Sequence, residues 1–438
     1  MSTSSPQQAV RHVETRLSVN LDRVAKIANA GIVLALVGSV LLGHFVSFYF
    51  HFLTVFLILL NLLNVYWRHV QKTHTLLANF GFAAQVRYLV ESIGPEFRQY
   101  LYSSDNEERP FSRNERTEVY RKAKGIDSSA AFGTQLDLDA GNQVLLRHSF
   151  FPTTTDKLEP FAVTFGEERE LAANEQVAML EIKFSQGAKP GKGGLLPKEK
   201  LSEEIAELRG VPMGQDVISP PRQLECVDEA STVAFIRRIQ EVAGLPVGIK
   251  FCLGRSTELR RLVQEMKRQG VFPDFMTVDG AEGGTGAAPR CFMDGLGLPL
   301  LEGLTQVQSV LEEEGVRDRL KLIASGKLID ARRQLIAMSI GADACYTARG
   351  FMLALGCIQA LQCNQNTCPV GITTHNPHLE RGLDIEAKST RVANYVAGLC
   401  HNYVEMLAAT GNTAASELNR DNLFLPGMHP NTHQGGAR

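Results

Sequence analysis

Forty consecutive residues, Ala28 to Trp67, contain no Asp, Glu, Lys or Arg. One bilayer crossing takes about 20 apolar residues, so this stretch predicts two transmembrane helices joined by a tight turn near His44 to His51. Phe45, Phe48, Tyr49, Phe50 and Phe52 would form an interfacial aromatic belt at that turn. Arg11, Arg16, Arg23 and Lys26 precede the stretch, and Arg68, Lys72 and Arg87 follow it, which places both flanks on the cytoplasmic side. One long kinked helix or a hairpin buried in a soluble core is the alternative. A signal peptide is disfavoured, because the apolar run is too long and starts too late.

Beyond the hairpin the pattern changes twice. From His74 to Tyr102, Leu76, Phe80, Phe82, Val86, Leu89 and Ile93 recur at three- and four-residue spacing, predicting helices near the membrane surface. Residues 103–170 are polar and read as a connecting module with few strands. From Gln176 onward, short apolar runs alternate with helix-length segments. The predicted strands are VAMLEIKF (177–184), DVISP (216–220), PVGIKFC (246–252), FMTVDG (275–280), LKLIAS (320–325) and ADACYTA (342–348). The predicted helices are Ser202–Leu208, Glu229–Ala243, Ser256–Gln269, Leu301–Glu314, Asp330–Ile340 and Phe351–Leu361.

Apolar strands followed by amphipathic helices argue a parallel sheet covered by helices. Their repetition, with Gly-rich turns after the strands, predicts an α/β fold of the TIM-type (β/α) barrel class with six of eight strands visible. A doubly wound open sheet is the alternative, although no GxGxxG turn opens a first βα unit. The expected organisation is a cytoplasmic segment at 1–27, two transmembrane helices at 28–67, the connecting module at 68–170 and the barrel at 171–411. A tail at 412–438, without periodicity, is expected to lack fixed structure.

Composition adds little, and the cysteines add more. A net charge of −2 and a pI near 6.6 give no reason to expect nucleic-acid binding. Cys226, Cys252, Cys291, Cys345 and Cys400 are scattered singly, as buried thiols in a reducing compartment would be, and do not form a disulfide framework. Cys357, Cys363 and Cys368 instead crowd into CIQALQCNQNTCP, just before a proline. Three such thiolates suit a three-iron cluster. Zinc, with His375 as a fourth ligand, and unligated thiols are the other readings.

Sites in such barrels lie at the carboxyl ends of the strands. There SQGAKPGKGG (185–194) offers Gln186 and Lys189, and DGAEGGTGAAP (279–289) offers bare N–H groups at Gly283, Gly284 and Gly286 beside Thr285. Ser325, Gly326 and Lys327, with Arg349 and Gly350, follow the last two strands, where these barrels bind phosphate. Arg349 would add a bidentate cation. Each turn alone is equally a structural turn; four at equivalent positions point to a phosphorylated cofactor. Lys250, inside a strand, needs an anionic partner if buried, which favours a functional role. Asp279 and Glu282 read equally well as acid/base groups or as loop caps.

These motifs together resemble a known family. EIKFSQGAKPGKGGLLP (181–197), PDFMTVDGAEGGTGAAP (273–289), LLEGL (300–304), RDRLKLIASGKL (317–328) and CNQNTCPVGI (363–372) are similar to the FMN-binding synthase domain of glutamate synthase. The resemblance runs over about residues 177–405. Upstream, the hairpin, THTLLANF (73–80), ESIGPEFRQYL (91–101) and RKAKGIDSSAAFGTQLD (121–137) resemble its membrane-tethered, single-chain branch.

The resemblance implies condensation of 2-oxoglutarate with ammonia to 2-iminoglutarate, which reduced FMN converts to L-glutamate, with electrons arriving through a [3Fe–4S] cluster. It implies that Cys357, Cys363 and Cys368 hold the cluster. Gln186, Lys189 and Lys250 match polar residues around the flavin and oxo acid, and are the expected catalytic residues. Asp279, Gly283, Gly284, Thr285 and Gly286 belong to the flavin-binding loops, and Ser325, Gly326, Lys327, Arg349 and Gly350 to the phosphate end. Neither an amidotransferase domain nor an NADPH/FAD subunit is recognisable, so ammonia and electrons are expected from elsewhere, the donor being a ferredoxin or a reductase subunit. The expected location is the inner membrane, multi-pass, with the catalytic domain facing the cytoplasm; a homo-oligomer is an open arrangement. The family's first two barrel strands, with an NISAMS-type flavin turn and an NTGEGG-type loop, find no counterpart ahead of EIKFSQGAKPG. The alternative expectation is therefore a non-catalytic membrane-bound relative acting in electron transfer or assembly.

Overall fold

The computed structural model describes residues 6–71, 73–126, 144–159 and 177–424, in two compact units, Met1–Pro110 and Phe111–Arg438. The charges at Arg11, Arg16, Arg23 and Lys72, the FGTQLDLDAGNQ stretch, residues 160–176 and the end of the tail lie outside the described residues or side chains.

In the first unit, helix Pro6–Phe45 turns at residues 46–49 into helix Phe50–Val65, which a π-turn extends over Tyr66–Val70. The turn falls within the stretch predicted for it. Two polar rungs tie the helices together. Thr54 Oγ1 donates to Ser39 Oγ at 3.0 Å, and Asn64 Nδ2 donates to Asn29 Oδ1 at 3.1 Å. Asn64 Oδ1 also accepts from Phe82 N at 2.7 Å, at the start of helix Phe82–Phe97. The spans Lys26–Phe45 and Phe50–Val70 are long and apolar enough to cross a membrane. Their apolar side chains point outward: Leu34, Phe45 and Phe52 are each more than two-thirds exposed.

In the second unit five strands form one parallel sheet: β1 (Leu180–Lys183), β2 (Val247–Phe251), β3 (Phe275–Asp279), β4 (Lys321–Ser325) and β5 (Ala344–Tyr346). β3 is buried throughout, as a central parallel strand should be. Helices Glu229–Ala243, Ser256–Gln269, Leu300–Glu313 and Ala331–Ile340 connect successive strands. Asp228 and Asp330 cap two of them, accepting from Ser231 N and Arg333 N, while Gly244 and Gly270 end two in the left-handed conformation. Leu259, Val263 and Met266 line the buried face of Ser256–Gln269 at helical spacing.

The strands run β1 to β5 in sequence order without the reversal a doubly wound sheet contains. The sheet is an arc, and among the described residues its edges, β1 and β5, do not meet. Five strands rather than six build it. DVISP leaves Val217–Ile218 paired antiparallel with Leu195–Leu196 in a separate ribbon. Pro220 and Pro221 follow directly and have no N–H to extend a ladder.

Within the helical and irregular connecting module expected over 68–170 lies a helix, Arg113–Ala123, whose start is fixed by a Ser112–Glu115 capping box. Two further expectations are corrected. The helix predicted over Phe351–Leu361 spans Arg349–Leu355 and stops at Gly356, φ 110°, so the cysteine segment is irregular. The tail from Asn412 is structured as far as Phe424: Leu423–Phe424 pairs with Leu145–Leu146, and Leu418 and Leu423 are buried.

Candidate functional site

Parallel register sets the polar groups in rows. Lys183 stands opposite Lys250, Lys250 opposite Thr277, and Asp279 opposite Ser325. Asp279, the last residue of β3, sits at the centre. Its Oδ2 accepts from Gly187 N at 2.9 Å and lies 3.7 Å from Lys250 Nζ. This is the anionic partner that a largely buried lysine needs. The Lys250 ammonium also lies 5.8 Å from the Tyr346 ring centre, and Thr277 Oγ1 donates to Glu181 Oε2 at 2.6 Å.

The two loops above this row are stitched together. Gln186 Nε2 donates to Thr285 Oγ1 at 3.0 Å, and Lys189 Nζ to the Ala287 carbonyl at 2.8 Å. The stitch demands glycine at 187, where a Cβ would lie 1.7 Å from the Gly280 carbonyl oxygen. Glu282 is a loop cap in this structure, its carboxylate accepting from Leu300 N at 3.0 and 3.2 Å.

Past β4 and β5 lies a pair of cations. Arg349 opens its helix and its guanidinium donates to the Glu282 carbonyl, passing so close to Gly284 that a Cβ there would meet Arg349 Cδ at 2.7 Å. Burial, then the neighbouring Arg349 charge, hold Lys327 below the ordinary lysine range. Burial also lowers Arg349. The two cations share the Phe111 ring, an arrangement that can take an anion between them. Gly350 has a packing role, since a Cβ there would lie 2.3 Å from the Tyr395 hydroxyl.

The three cysteines share one irregular loop. Among the described residues, four non-glycine residues have positive φ, and three of them, Gln359, Leu361 and Asn366, are in this loop; Lys327 is the fourth. Cys357 Sγ accepts from Gln359 N at 3.4 Å, and burial, followed by the Cys363 and Cys368 thiols beside it, raises its pKa. Burial also opposes ionisation of Cys368. There the Thr373 hydroxyl and the amides of Thr373, Val370 and Ile372 outweigh it and bring the thiol below its ordinary value. Backbone concavities of this kind hold iron–sulfur groups and other anions, and the three-thiol donor set fits such a cluster. Among the described residues, however, no trio of His, Cys, Asp or Glu side chains stands at metal-ligating spacing.

Between the cysteine loop and the stitched loops opens a cavity of about 620 Å³. Lys183, Lys189, Lys192, Lys200 and Arg222 line it, and no carboxylate does. Each of these cations has a neutral partner. Lys183 bonds Gln186 Oε1 (2.6 Å), Lys189 the Ala287 carbonyl, Lys200 the Cys363 carbonyl (2.8 Å) and Arg222 the Cys226 carbonyl (3.4 Å), while Lys192 faces the Phe292 ring at 5.4 Å. Burial, then the Lys183 and Lys192 charges, lower Lys189. Lys192, Lys200 and Arg222 were not predicted as site residues. They converge only because the 195–196/217–218 ribbon folds their segments together.

Residues 162–413 match the conserved region in glutamate synthase. This chain belongs to the glutamate synthase family. Glutamate synthase large subunit-like protein YerD of Bacillus subtilis is 30% identical over 462 positions, taking in 78% of this chain and 88% of that protein. Archaeal glutamate synthase [NADPH] of Methanocaldococcus jannaschii is 34% identical over 283 positions, 62% of this chain and 55% of the relative. For the archaeal-type enzyme of Thermotoga maritima the figures are 34% over 254 positions, 57% and 49%. This glutamate synthase family member thus spans about half the length of the archaeal-type relatives. Among solved structures, a flavocytochrome b2 mutant with sulfite bound aligns over 78% of the chain at 12% identity and a TM-score of 0.37, too distant to bear on the fold.

Proposed function

We propose that this chain is a membrane-tethered, FMN-dependent oxidoreductase of the glutamate synthase type, forming L-glutamate from 2-oxoglutarate and ammonia. The observation that carries the reading is the cavity with five cations and no carboxylate, opening beside Lys250–Asp279 and the Gly-rich loop. A dicarboxylate supplies the missing counter-charge. Lys189, Lys192, Lys200 and Arg222 would orient its two carboxylates, Gln186 would add an amide donor, and Lys250, held by Asp279, would be the proton-holding group beneath the loops.

FMN fits the adjoining groups. The Gly283–Gly286 backbone would approach the ring system, and Ser325, Gly326, Lys327 and Arg349 would hold the phosphate. When bound, it supplies hydride transfer. Cys357, Cys363 and Cys368 would hold a [3Fe–4S] cluster that receives electrons from a ferredoxin or reductase partner. The two exposed apolar helices form a patch far larger than soluble surfaces carry, which supports a membrane hairpin, and the basic residues outside both ends favour cytoplasmic flanks.

The five-stranded arc is read as part of a (β/α) barrel. The YerD alignment is 462 positions long yet takes in 78% of this 438-residue chain. Many positions of that relative therefore stand opposite gaps, in keeping with a chain that has fewer elements than the relative. The edges of β1 and β5, which no further strand pairs among the described residues, favour a second reading, a non-catalytic membrane-bound relative.

The deciding experiment quantifies flavin and iron in detergent-purified protein and assays glutamate formation with a reduced donor. Near-stoichiometric FMN, about three irons per chain and glutamate formation support the enzyme. Absence of flavin and of product sinks it in favour of the second reading. Cys363→Ser is expected to remove the iron and its visible spectrum, and an unchanged spectrum refutes the cluster assignment.

A further inference from the structure

We infer that Phe111 is a positioning residue for the Lys327–Arg349 cation pair, locked in place by the cysteine loop, so that a segment ahead of the matched family region completes the anion site. The inference rests on the reading of that pair as the phosphate end.

Phe111 is 2% exposed. Its ring centre lies 4.9 Å from the Arg349 guanidinium carbon and 5.7 Å from Lys327 Nζ, so one aromatic ring meets both cations. Like charges would otherwise splay apart. The ring's negative face gives each an attractive surface while leaving its hydrogen-bonding capacity for a ligand. This matters most for Lys327, which burial and Arg349 already disfavour as a cation.

The ring is itself fixed at its own backbone. Phe111 N donates to Gln359 Oε1 and the Phe111 carbonyl accepts from Gln359 Nε2, both at 3.1 Å. Gln359 is 8% exposed and has φ 59°, a backbone state that a glutamine keeps only where its surroundings impose it. The following helix grips the same loop. Tyr120 OH donates to the Cys357 carbonyl at 2.6 Å, and Arg116 Nη1 to the Ile358 carbonyl at 3.3 Å. Glu115 pairs with Arg333, whose Nη1 donates to the Lys327 carbonyl at 3.4 Å. Residues 111–120 thus reach both ends of the site. None of them falls within residues 162–413.

The test compares FMN with riboflavin, which lacks the phosphate, by fluorescence titration of the full chain in detergent. Phe111→Leu is expected to weaken FMN about 3- to 30-fold and leave riboflavin unchanged; Phe111→Tyr is expected to retain FMN affinity. Gln359→Leu, which removes both side-chain bonds to the Phe111 backbone, is expected to shift FMN in the same direction as Phe111→Leu. A merely structural role would weaken both flavins equally, and that result overturns the inference, as does unchanged FMN affinity in Phe111→Leu. If the wild type binds no flavin, the FMN assignment fails by itself, and calorimetry with inorganic phosphate decides the inference. Phosphate binding lost in Phe111→Leu supports it; equal binding, or none in either protein, overturns it.

Discussion

Gly187→Ala probes the contact on which the site depends. The added Cβ would stand 1.7 Å from the Gly280 carbonyl oxygen. Ordinary carbon–oxygen contacts are about 3.3 Å or longer, so the loops must part by roughly 1.6 Å. The carbonyl cannot swing away freely, because it accepts from Gly283 N at 2.8 Å, while Gly280 N donates to the Ser325 carbonyl at 2.8 Å. Parting the loops breaks the 2.9 Å bond from Gly187 N to Asp279. Losing a hydrogen bond to a charged group costs about 1.5–3 kcal/mol, and residual overpacking about 1–3 kcal/mol. The expected loss is therefore roughly 3–5 kcal/mol. Gly286→Ala is the control: it meets nothing within 4 Å, lies in the same loop, and is expected to be neutral or stabilising by up to about 1 kcal/mol. Thermal unfolding of the two purified variants under one protocol reads the difference. If Gly187→Ala unfolds within about 1 kcal/mol of Gly286→Ala, the close approach of the two loops is not as described.

Three other outcomes are expected. Lys327 is held below its ordinary range, so inorganic phosphate affinity should fall as pH rises on the alkaline side and its ammonium is lost; Lys327→Arg should flatten that fall in a calorimetric pH series. The corresponding stability runs the opposite way, rising with pH between the depressed folded value and the ordinary unfolded one, because the unfolded chain binds more protons there. Lys250→Met leaves Asp279 buried without its cation and should cost about 3 kcal/mol by chemical denaturation, part of which Asp279→Asn in the same chain restores; additive losses would show that the pair is not coupled. Arg222→Ala should weaken 2-oxoglutarate binding about tenfold and a monocarboxylic oxo acid less; equal losses would remove Arg222 from carboxylate recognition.

The parts legible in sequence were those whose signal is local. β2, β3 and β4 are short apolar runs, and helices Glu229–Ala243 and Ser256–Gln269 match their predicted bounds because apolar period, caps and terminal glycines agree. DVISP carried a strand's composition but not its pairing, which the prolines after it deny. Helix Arg113–Ala123 is polar along most of its length, so hydrophobic period could not reveal it; SRNE (112–115) was the available sign, as a capping box. The tail hid behind turns, with Leu418 and Leu423 too few to make a period. Asp279 and Arg349 could be picked from strand-end position, and Lys250 as a lysine inside an apolar strand. Lys192, Lys200, Arg222 and Phe111 could not, because tertiary folding brings them to the site.

The open arc and the polar site are separable. The central polar groups of the described strands find their partners among those same five strands and the loops that follow them. Thr277 bonds Glu181, Asp279 takes Gly187 N and Lys250, and Lys250 faces Tyr346. Closing the barrel is thus not needed to satisfy the floor of the site. Among the described residues no further strand pairs with the outer edges of β1 and β5, and edges left open are an aggregation liability. A barrel lacking two strands would therefore lose solubility and the enclosure of bound ligands more directly than the placement of Lys250, Asp279, Lys327 and Arg349. A chain that held FMN weakly while keeping these groups in register would be the natural consequence. Flavin affinity, rather than fold alone, is where the incomplete sheet should register.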